Sequence, residues 1–365
     1  MKNYCHLFIL LLLSFSSTAF SAGETPLKID VIASNLGVPW GMAVMPDNKL
    51  LITQRHGELS LLDLNSHEIQ KISGLPAVKA KGQGGLFDVA LSPDFKTTSW
   101  IYFSYAKDID GEAATTLARA KLQNEALIDW QDLLVTQSRT PKNYHFGGRI
   151  TFDNEGHVFL SVGERGVRAN AQNLQNHAGK ILRLNLDGSI PKDNPFVDTN
   201  NALAEIWSYG HRNPQGLFFN HNTGLLWESE HGPRGGDEIN LIQAGKNYGW
   251  PVISYGKEYS SPRAVGEGTE RSDIEAPVKV YIPSIATSSI IQYSGKAFPV
   301  WKNNLFVGAL KAQHLNRIVL DKDNHASGEF RHFSSVQARI RNIIESPEGW
   351  LYLATDQGEI LSIKP

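Results

Sequence analysis

Trp40-Gly41-Met42-Ala43-Val44-Met45-Pro46-Asp47-Asn48-Lys49-Leu50-Leu51-Ile52-Thr53 reads as a short strand, a Pro-Asp turn and a second strand. Gly57 then leads into Leu59-Ser60-Leu61-Leu62-Asp63, a third strand. Outward from this stretch, related units begin near Phe87 (with Pro93-Asp94), Ile150 (with Asp153-Asn154), Leu217 (with Asn220-His221) and Ile343 (with Pro347-Glu348). A weaker unit surrounds Phe298 to Leu320. The six turns recur at a mean spacing of roughly 60 residues, near the long end of propeller blade periods. Strands of this length cannot bury both faces alone, and stacking them radially solves that. The expectation is an all-β fold, a six-bladed β-propeller of four-stranded antiparallel blades. A β-sandwich or two stacked β-domains is the competing arrangement. No long amphipathic helix competes and no Ser/Gly/Pro-rich linker divides the chain, so residues 22–365 are expected to form one domain.

The first residues bear on compartment. Lys2 gives a positive start, Leu7 to Phe15 is almost unbroken apolar, and Ala19-Phe20-Ser21 offers small residues for cleavage, so residues 1–21 read as a secretory signal peptide. The alternative, a membrane anchor, needs an apolar run of ~18–20 residues, far longer than this one. No other segment is long or apolar enough to span, and a soluble periplasmic protein is expected. Cys5 is the only cysteine and lies in that leader, which leaves neither disulfides nor thiolate chemistry. Core packing must hold the fold, and 41% hydrophobic with 10% aromatic content supports that. The 32 glycines and 17 prolines suggest many turns. With 35 basic and 37 acidic residues, the chain has no basic footprint of a nucleic-acid binder.

Four polar clusters interrupt the apolar rhythm where strands meet loops, and loops at one end of a propeller converge on its axis. In Gly82-Gln83-Gly84-Gly85 the glycines allow close backbone approach to a ligand and Gln83 can donate and accept; a mobile turn reads equally well. In Tyr144-His145-Phe146-Gly147-Gly148-Arg149, a histidine between aromatics and glycines suits a partly desolvated general base, though lone histidines are more often structural. His211-Arg212-Asn213-Pro214-Gln215-Gly216 precedes Glu230-His231-Gly232-Pro233-Arg234-Gly235-Gly236-Asp237-Glu238. Exposed carbonyls around Gly and Pro beside paired acids suit Ca²⁺ better than a transition metal, unless this is an ordinary Gly-rich turn. In Arg339-Ile340-Arg341 the arginines share one face of a strand and, with Lys311, form a receptor for a polycarboxylate; surface salt bridging is the plainer alternative.

Gly210-His211-Arg212-Asn213-Pro214-Gln215-Gly216, Glu230-His231-Gly232-Pro233 and Asn247-Tyr248-Gly249-Trp250-Pro251 are the most specific stretches of a wider likeness. Gly82-Gln83-Gly84-Gly85-Leu86, Ser92-Pro93-Asp94-Phe95 and Gly147-Gly148-Arg149 support it. Over nearly all of the mature length the chain resembles the soluble glucose dehydrogenases that use pyrroloquinoline quinone (PQQ), and more closely their shorter bacterial relatives, the aldose sugar dehydrogenases. The resemblance implies that His145 is the base for the anomeric hydroxyl and that Arg212 stabilises charge on the quinone. It implies PQQ contacts from Gln83, Arg212, Asn213, Lys311 with its neighbour Ala312, Arg339 and Arg341, with Tyr259 a wall of that pocket. It implies Ca²⁺ on the carbonyls of Gly232 and Pro233, and a second calcium at Asp237, Glu238 and the Tyr248 carbonyl.

Two departures stand out. Glu164, in Gly163-Glu164-Arg165-Gly166, replaces the aspartate that supports the histidine in the longer enzymes, and the long insertions of those enzymes are missing. The implied activity is oxidation of an aldose to its lactone, with electrons passed to a quinone or cytochrome. The rivals are a calcium-dependent lactonase, which has no use for cations facing a tricarboxylate, and a non-catalytic binding propeller, which needs no histidine base.

Overall fold

The computed structural model describes residues 27–365, and the expected leader with Cys5 lies outside them. β1 (Lys28–Ala33) is followed by five sheets in chain order. The first holds β2 (Pro39–Met45), β3 (Lys49–Gln54), β4 (Glu58–Asp63) and β5 (Ile69–Ile72). The second holds β6 (Leu86–Leu91), β7 (Trp100–Ile109), β8 (Glu112–Gln123) and β9 (Ala126–Val135). The third holds β10 (Ile150–Phe152), β11 (His157–Val162), β12 (Lys180–Asn185) and β13 (Ile206–Tyr209). The fourth holds β14 (Pro214–Asn220), β15 (Leu225–Glu230), β16 (Asp237–Ile242) and β17 (Lys279–Tyr281), and the fifth β18 (Thr287–Gln292), β19 (Leu305–Ala309), β20 (Leu315–Leu320) and β21 (Ala326–His332). β22 (Ile340–Glu345), β23 (Leu351–Thr355) and β24 (Ile360–Lys364) begin the sixth, which β1 completes by pairing with β24, Ile29 opposite Ile363. This is the expected six-bladed β-propeller of four-stranded antiparallel blades.

The repeat unit at Trp40 is the β2–β3 hairpin, with Leu50 opposite Val44. The weaker unit, Phe298 to Leu320, holds a turn, β19 and β20 of the fifth blade, whose inner strand β18 lies upstream of it. Alternation along each strand sends one face towards each neighbouring blade, so the apolar core is divided among the seams. At the closing seam Leu50, Ile52 and Leu62 meet Ile32, Tyr352, Ala354 and Ile360. At the next, Leu51 and Leu59 meet Val89, Ile101 and Phe103. Truncating such a buried Leu or Ile to Ala costs about 2–5 kcal/mol.

The inner strands β2, β6, β10, β14, β18 and β22 touch in a ring around the axis. In β2, β6, β14, β18 and β22 the pairing slips near the first residues, leaving Trp40, Phe87-Asp88, Gln215 and Arg341 among those outside the ladder. A bulge re-aims the extra side chain. Trp40, Phe87, Gln215 and Arg341 accordingly line a cavity at the axis. The ring is tight: a Cβ on Gly41 would stand 2.5 Å from an oxygen of Asp88.

Candidate active site at the mouth of the axis

Arg149 is buried where the inner strands meet. Its Nε donates to the Gln215 carbonyl at 2.8 Å, Nη1 to Asp88 at 3.0 Å and to the Trp40 carbonyl at 3.2 Å, and Nη2 to the Arg341 carbonyl at 2.9 Å. Its guanidinium lies 4.1 Å from the centre of the Trp40 ring. One buried side chain thereby ties five blades together. Burial pushes the Asp88 carboxyl up against the pull of Arg149, and the Ile150 N–H holds its other oxygen at 3.0 Å. Unpaired, a charge here would be strongly destabilising.

His145 sits on the loop entering β10 with φ of 57°, a left-handed conformation uncommon outside glycine. Gln83 accepts from its backbone N–H at 2.8 Å, and its imidazole is 13% exposed. Nδ1 hydrogen-bonds the carboxylate of Glu164, whose contact oxygen also accepts from the Gly166 N–H at 3.0 Å. Glu164 is buried, so its extra methylene relative to an aspartate does not take it out of reach. Gly163 is required by the packing, since a Cβ there would lie 2.3 Å from the His145 carbonyl oxygen. Burial lowers the His145 pKa, the Glu164 hydrogen bond opposes this, and the Arg212 charge lowers it further; the result is below the ordinary value. Arg165, fully buried, donates to the carbonyls of Tyr144, Lys142 and Ala113 and covers the Phe146 ring, fixing the loop on both sides of the histidine.

Gln83, Asn213, Arg339 and Arg341 come together around the axial cavity of about 360 Å³, beside Phe146 and Gly147. The arginines share Asp356: Arg339 Nε reaches it at 3.0 Å, and Arg341 grips both oxygens at 2.8 and 2.9 Å. Burial works against ionisation of Asp356, but the charge of Arg341 and the hydrogen bonds of both arginines outweigh it and hold the carboxyl below its ordinary range. Two cations against one anion leave a positive wall.

A larger groove of about 820 Å³ adjoins the cavity through His231 and Ala286, and Gly232, Pro233, Tyr259, Lys311 and Asp237 line it. Arg212 donates to the Gly232 carbonyl at 2.8 Å, and the Tyr259 hydroxyl to the Pro233 carbonyl at 3.1 Å. Ala312 is exposed on the turn beside Lys311, outside both linings. Asp237 accepts backbone N–H groups from Gly232 at 3.0 Å and Ala286 at 2.6 Å; it was expected to hold the second calcium with Glu238 and Tyr248, but it lines this groove rather than the space those two share.

Glu238 and Tyr248 line a separate space of about 10 Å³ with Glu230 and Arg212. Glu228 and Glu230 cluster there with His211. Burial and the charge of Glu230 push both Glu228 and Glu238 well above the ordinary carboxylate range, and one buried oxygen of Glu228 has no hydrogen-bond partner. Converging hard oxygens that resist ionisation together suit a divalent cation.

Sequence reasoning had no signal for Asp356, Arg165 or Glu228, because each acts on a partner in another strand or loop. The glycines around Arg149 marked its segment but not the arginine's place at the axis.

A histidine–carboxylate pair, a cationic wall and an oxygen-rich turn lie at the mouth of the propeller, and comparison with known proteins gives the class, an oxidoreductase. Residues 36–362 match the family model described as Glucose / Sorbosone dehydrogenase. The chain is 40% identical to the aldose sugar dehydrogenase YliI of Escherichia coli, over 98% of each chain. The crystal structure of the soluble aldose sugar dehydrogenase from Escherichia coli in its apo-form superposes with a TM-score of 0.89 at 38% identity, covering 93% of this chain and 99% of that one. The PQQ-bound aldose sugar dehydrogenase of Streptomyces coelicolor gives 0.75 at 26% identity, with 93% and 98% covered. The chain belongs to the glucose/sorbosone dehydrogenase family. It is an oxidoreductase on a β-propeller.

Proposed function

We propose that this protein oxidises aldoses at C1 to lactones in the periplasm, using calcium-bound PQQ and passing electrons to an external quinone or cytochrome. The observation that carries the reading is the His145–Glu164 pair, tied through the His145 N–H to Gln83, which lines a cavity walled by Arg339 and Arg341. The residues present fit both groups. Arg339, Arg341 and Lys311, with Gln83, Asn213 and Tyr259, would hold a planar tricarboxylate through charge-assisted hydrogen bonds. The carbonyls of Gly232 and Pro233 would hold one calcium, and Glu238 with the Tyr248 carbonyl a second. No helix among the described residues is long and apolar enough to cross a membrane.

When bound, PQQ would supply the hydride acceptor and calcium would supply Lewis-acid polarisation. Glu164 fixes the tautomer with Nδ1 protonated, which leaves Nε2 of His145 free to take the proton of the anomeric hydroxyl. The lowered pKa keeps that nitrogen unprotonated at neutral pH. As C1 gives up hydride and becomes a carbonyl, the Glu164 carboxylate stabilises the imidazolium that forms. Arg212, held by the His231 and Gly232 carbonyls, would bring a fixed positive charge to the turn proposed to hold the calcium.

The test is reconstitution: purified protein receives PQQ and Ca²⁺, and aldoses are assayed with an artificial electron acceptor. Oxidation that needs both additions is expected. Lactone hydrolysis with calcium alone, and no aldose oxidation, would replace this reading with the lactonase one.

A further inference from the structure

The groove beside the axial cavity carries more positive charge than the proposed cofactor needs. Besides Lys311 it is lined by Arg234 and Lys257, which sit directly opposite each other on a short antiparallel bridge, joined by N–H···O bonds of 3.2 and 3.1 Å. Like charges directly opposite across a ladder are destabilising. Among the described residues no carboxylate relieves them. Asp237, the acid in this lining, spends its oxygens on the N–H groups of Gly232 and Ala286. Glu258, next along the chain from Lys257, is held by Arg168 through two contacts of 2.7 Å.

The rest of the lining suits a sugar. Lys311, Tyr259, Gly232 and Pro233 form the side of the groove given to the cofactor and calcium, while Tyr255, Pro262 and Ile282, which is 68% exposed, line it together with Arg234 and Lys257. The groove is more than twice the size of the axial cavity it opens into, 820 against 360 Å³, so the side away from the cofactor can take a unit beyond the ring being oxidised.

We propose that the groove is an anion subsite for the substrate: the aldoses oxidised here include ones carrying a carboxylate or phosphate beyond the reacting ring, held between Arg234 and Lys257. The inference rests on the aldose-oxidising reading above and names its substrate class. The anionic group undergoes no chemistry; it anchors the far end while C1 reacts at the axis. Each exposed charge pair contributes little alone, so two cations acting together are expected to favour an anionic sugar by about three- to tenfold.

The experiment uses the full mature chain loaded with PQQ and Ca²⁺. KM is measured for cellobiouronic acid against cellobiose, and for glucose 6-phosphate against glucose, at low salt and at about 0.5 M salt. At low salt the uronate, the phosphate or both should show KM about three- to tenfold below the neutral counterpart, and the gap should close at high salt. Whichever pair shows the gap names the group. Arg234→Ala with Lys257→Ala should close the gap at low salt, and Lys257→Glu should reverse it. Equal KM values in both pairs overturn the proposal. So does a double variant whose PQQ titration weakens, because the cations then serve the cofactor, and so does a salt effect confined to the KM of the electron acceptor. A loaded protein that oxidises no aldose refutes the aldose reading itself and takes this inference with it.

Discussion

Glu164 offers one carboxylate oxygen to both Nδ1 of His145 and the N–H of Gly166, so the His145 ring is referenced to the backbone of the loop that follows β11. Two consequences follow for the proposed chemistry, one for the ring and one for its support.

For the ring, His145→Gln should lower kcat by about 10²–10⁴-fold, the usual contribution of a positioned base, while PQQ stoichiometry and melting temperature hold. In the parent, activity should rise with pH as the imidazole loses its proton, with a midpoint below the ordinary value of about 6.5, because the folded-state pKa is depressed. The variant should lack that limb. A stable, fully loaded variant within about threefold of the parent rate would remove His145 from the mechanism.

For the support, Glu164→Gln keeps the shape and loses the charge. Its hydrogen bond raises the His145 pKa, so without it the acid limb should move to lower pH while the plateau falls by about a hundredfold. Glu164→Asp should recover part of the rate, since the charge returns but one methylene short. A pH–rate profile superimposing on that of the parent would reduce Glu164 to a packing residue.

These roles were unevenly legible in the sequence. The first hairpin could be read because two apolar runs flank the Pro46-Asp47 turn. β18 could not, because its Thr287-Ser288-Ser289 start has no apolar rhythm; near the axis those hydroxyls donate to carbonyls instead, Ser288 to Ile340 at 2.6 Å and Thr287 to Glu230 at 3.1 Å. His145, Arg212, Arg339 and Arg341 announced themselves by interrupting strands. Asp356 and Asp88 did not, since an acid at a strand end looks alike whether it meets water or a buried arginine. Glu164 was visible in the sequence, but only the geometry shows that it reaches His145.

Arg339→Ala with Arg341→Ala should weaken PQQ binding by two or more decades, at roughly 1.5–3 kcal/mol for each charge-assisted bond. It should also lower the melting temperature, because Asp356 loses both partners. Adding Asp356→Asn should restore most of the stability and none of the affinity. Calorimetric titration beside thermal melts separates the two effects, and PQQ affinity regained in the triple variant would contradict the assignment.

Arg149→Met should cost about 3–5 kcal/mol, because it strands the Asp88 carboxylate in the axis. Arg149→Met with Asp88→Asn should be the more stable of the two, since the neutral amide that replaces the carboxylate can still accept from the Ile150 N–H. Denaturant melts of both decide it, and a double variant weaker than the single would place the value of Arg149 in its carbonyl contacts alone.

Chelation should lower the melting temperature, since an ion bound only by the folded chain stabilises it by about 2.7 kcal/mol at a hundredfold excess over Kd. Glu238→Gln should remove much of that response. Equal chelator-induced shifts in parent and variant would exclude the Glu238 site.

The pairing of β1 with β24 also governs when the site can exist. Gln83, His145, Arg212, Lys311 and Arg341 come from loops and strands of successive blades, and their spacing is set by the circumference of the ring, which only the two ends of the described chain can close. An open arc of blades has the same local hairpins but a different curvature, so it presents these groups too far apart to share one ligand. A ligand held by all of these groups would therefore need the closed ring, and would in turn act as a clasp at the hub, resisting the unzipping of a seam at the rim.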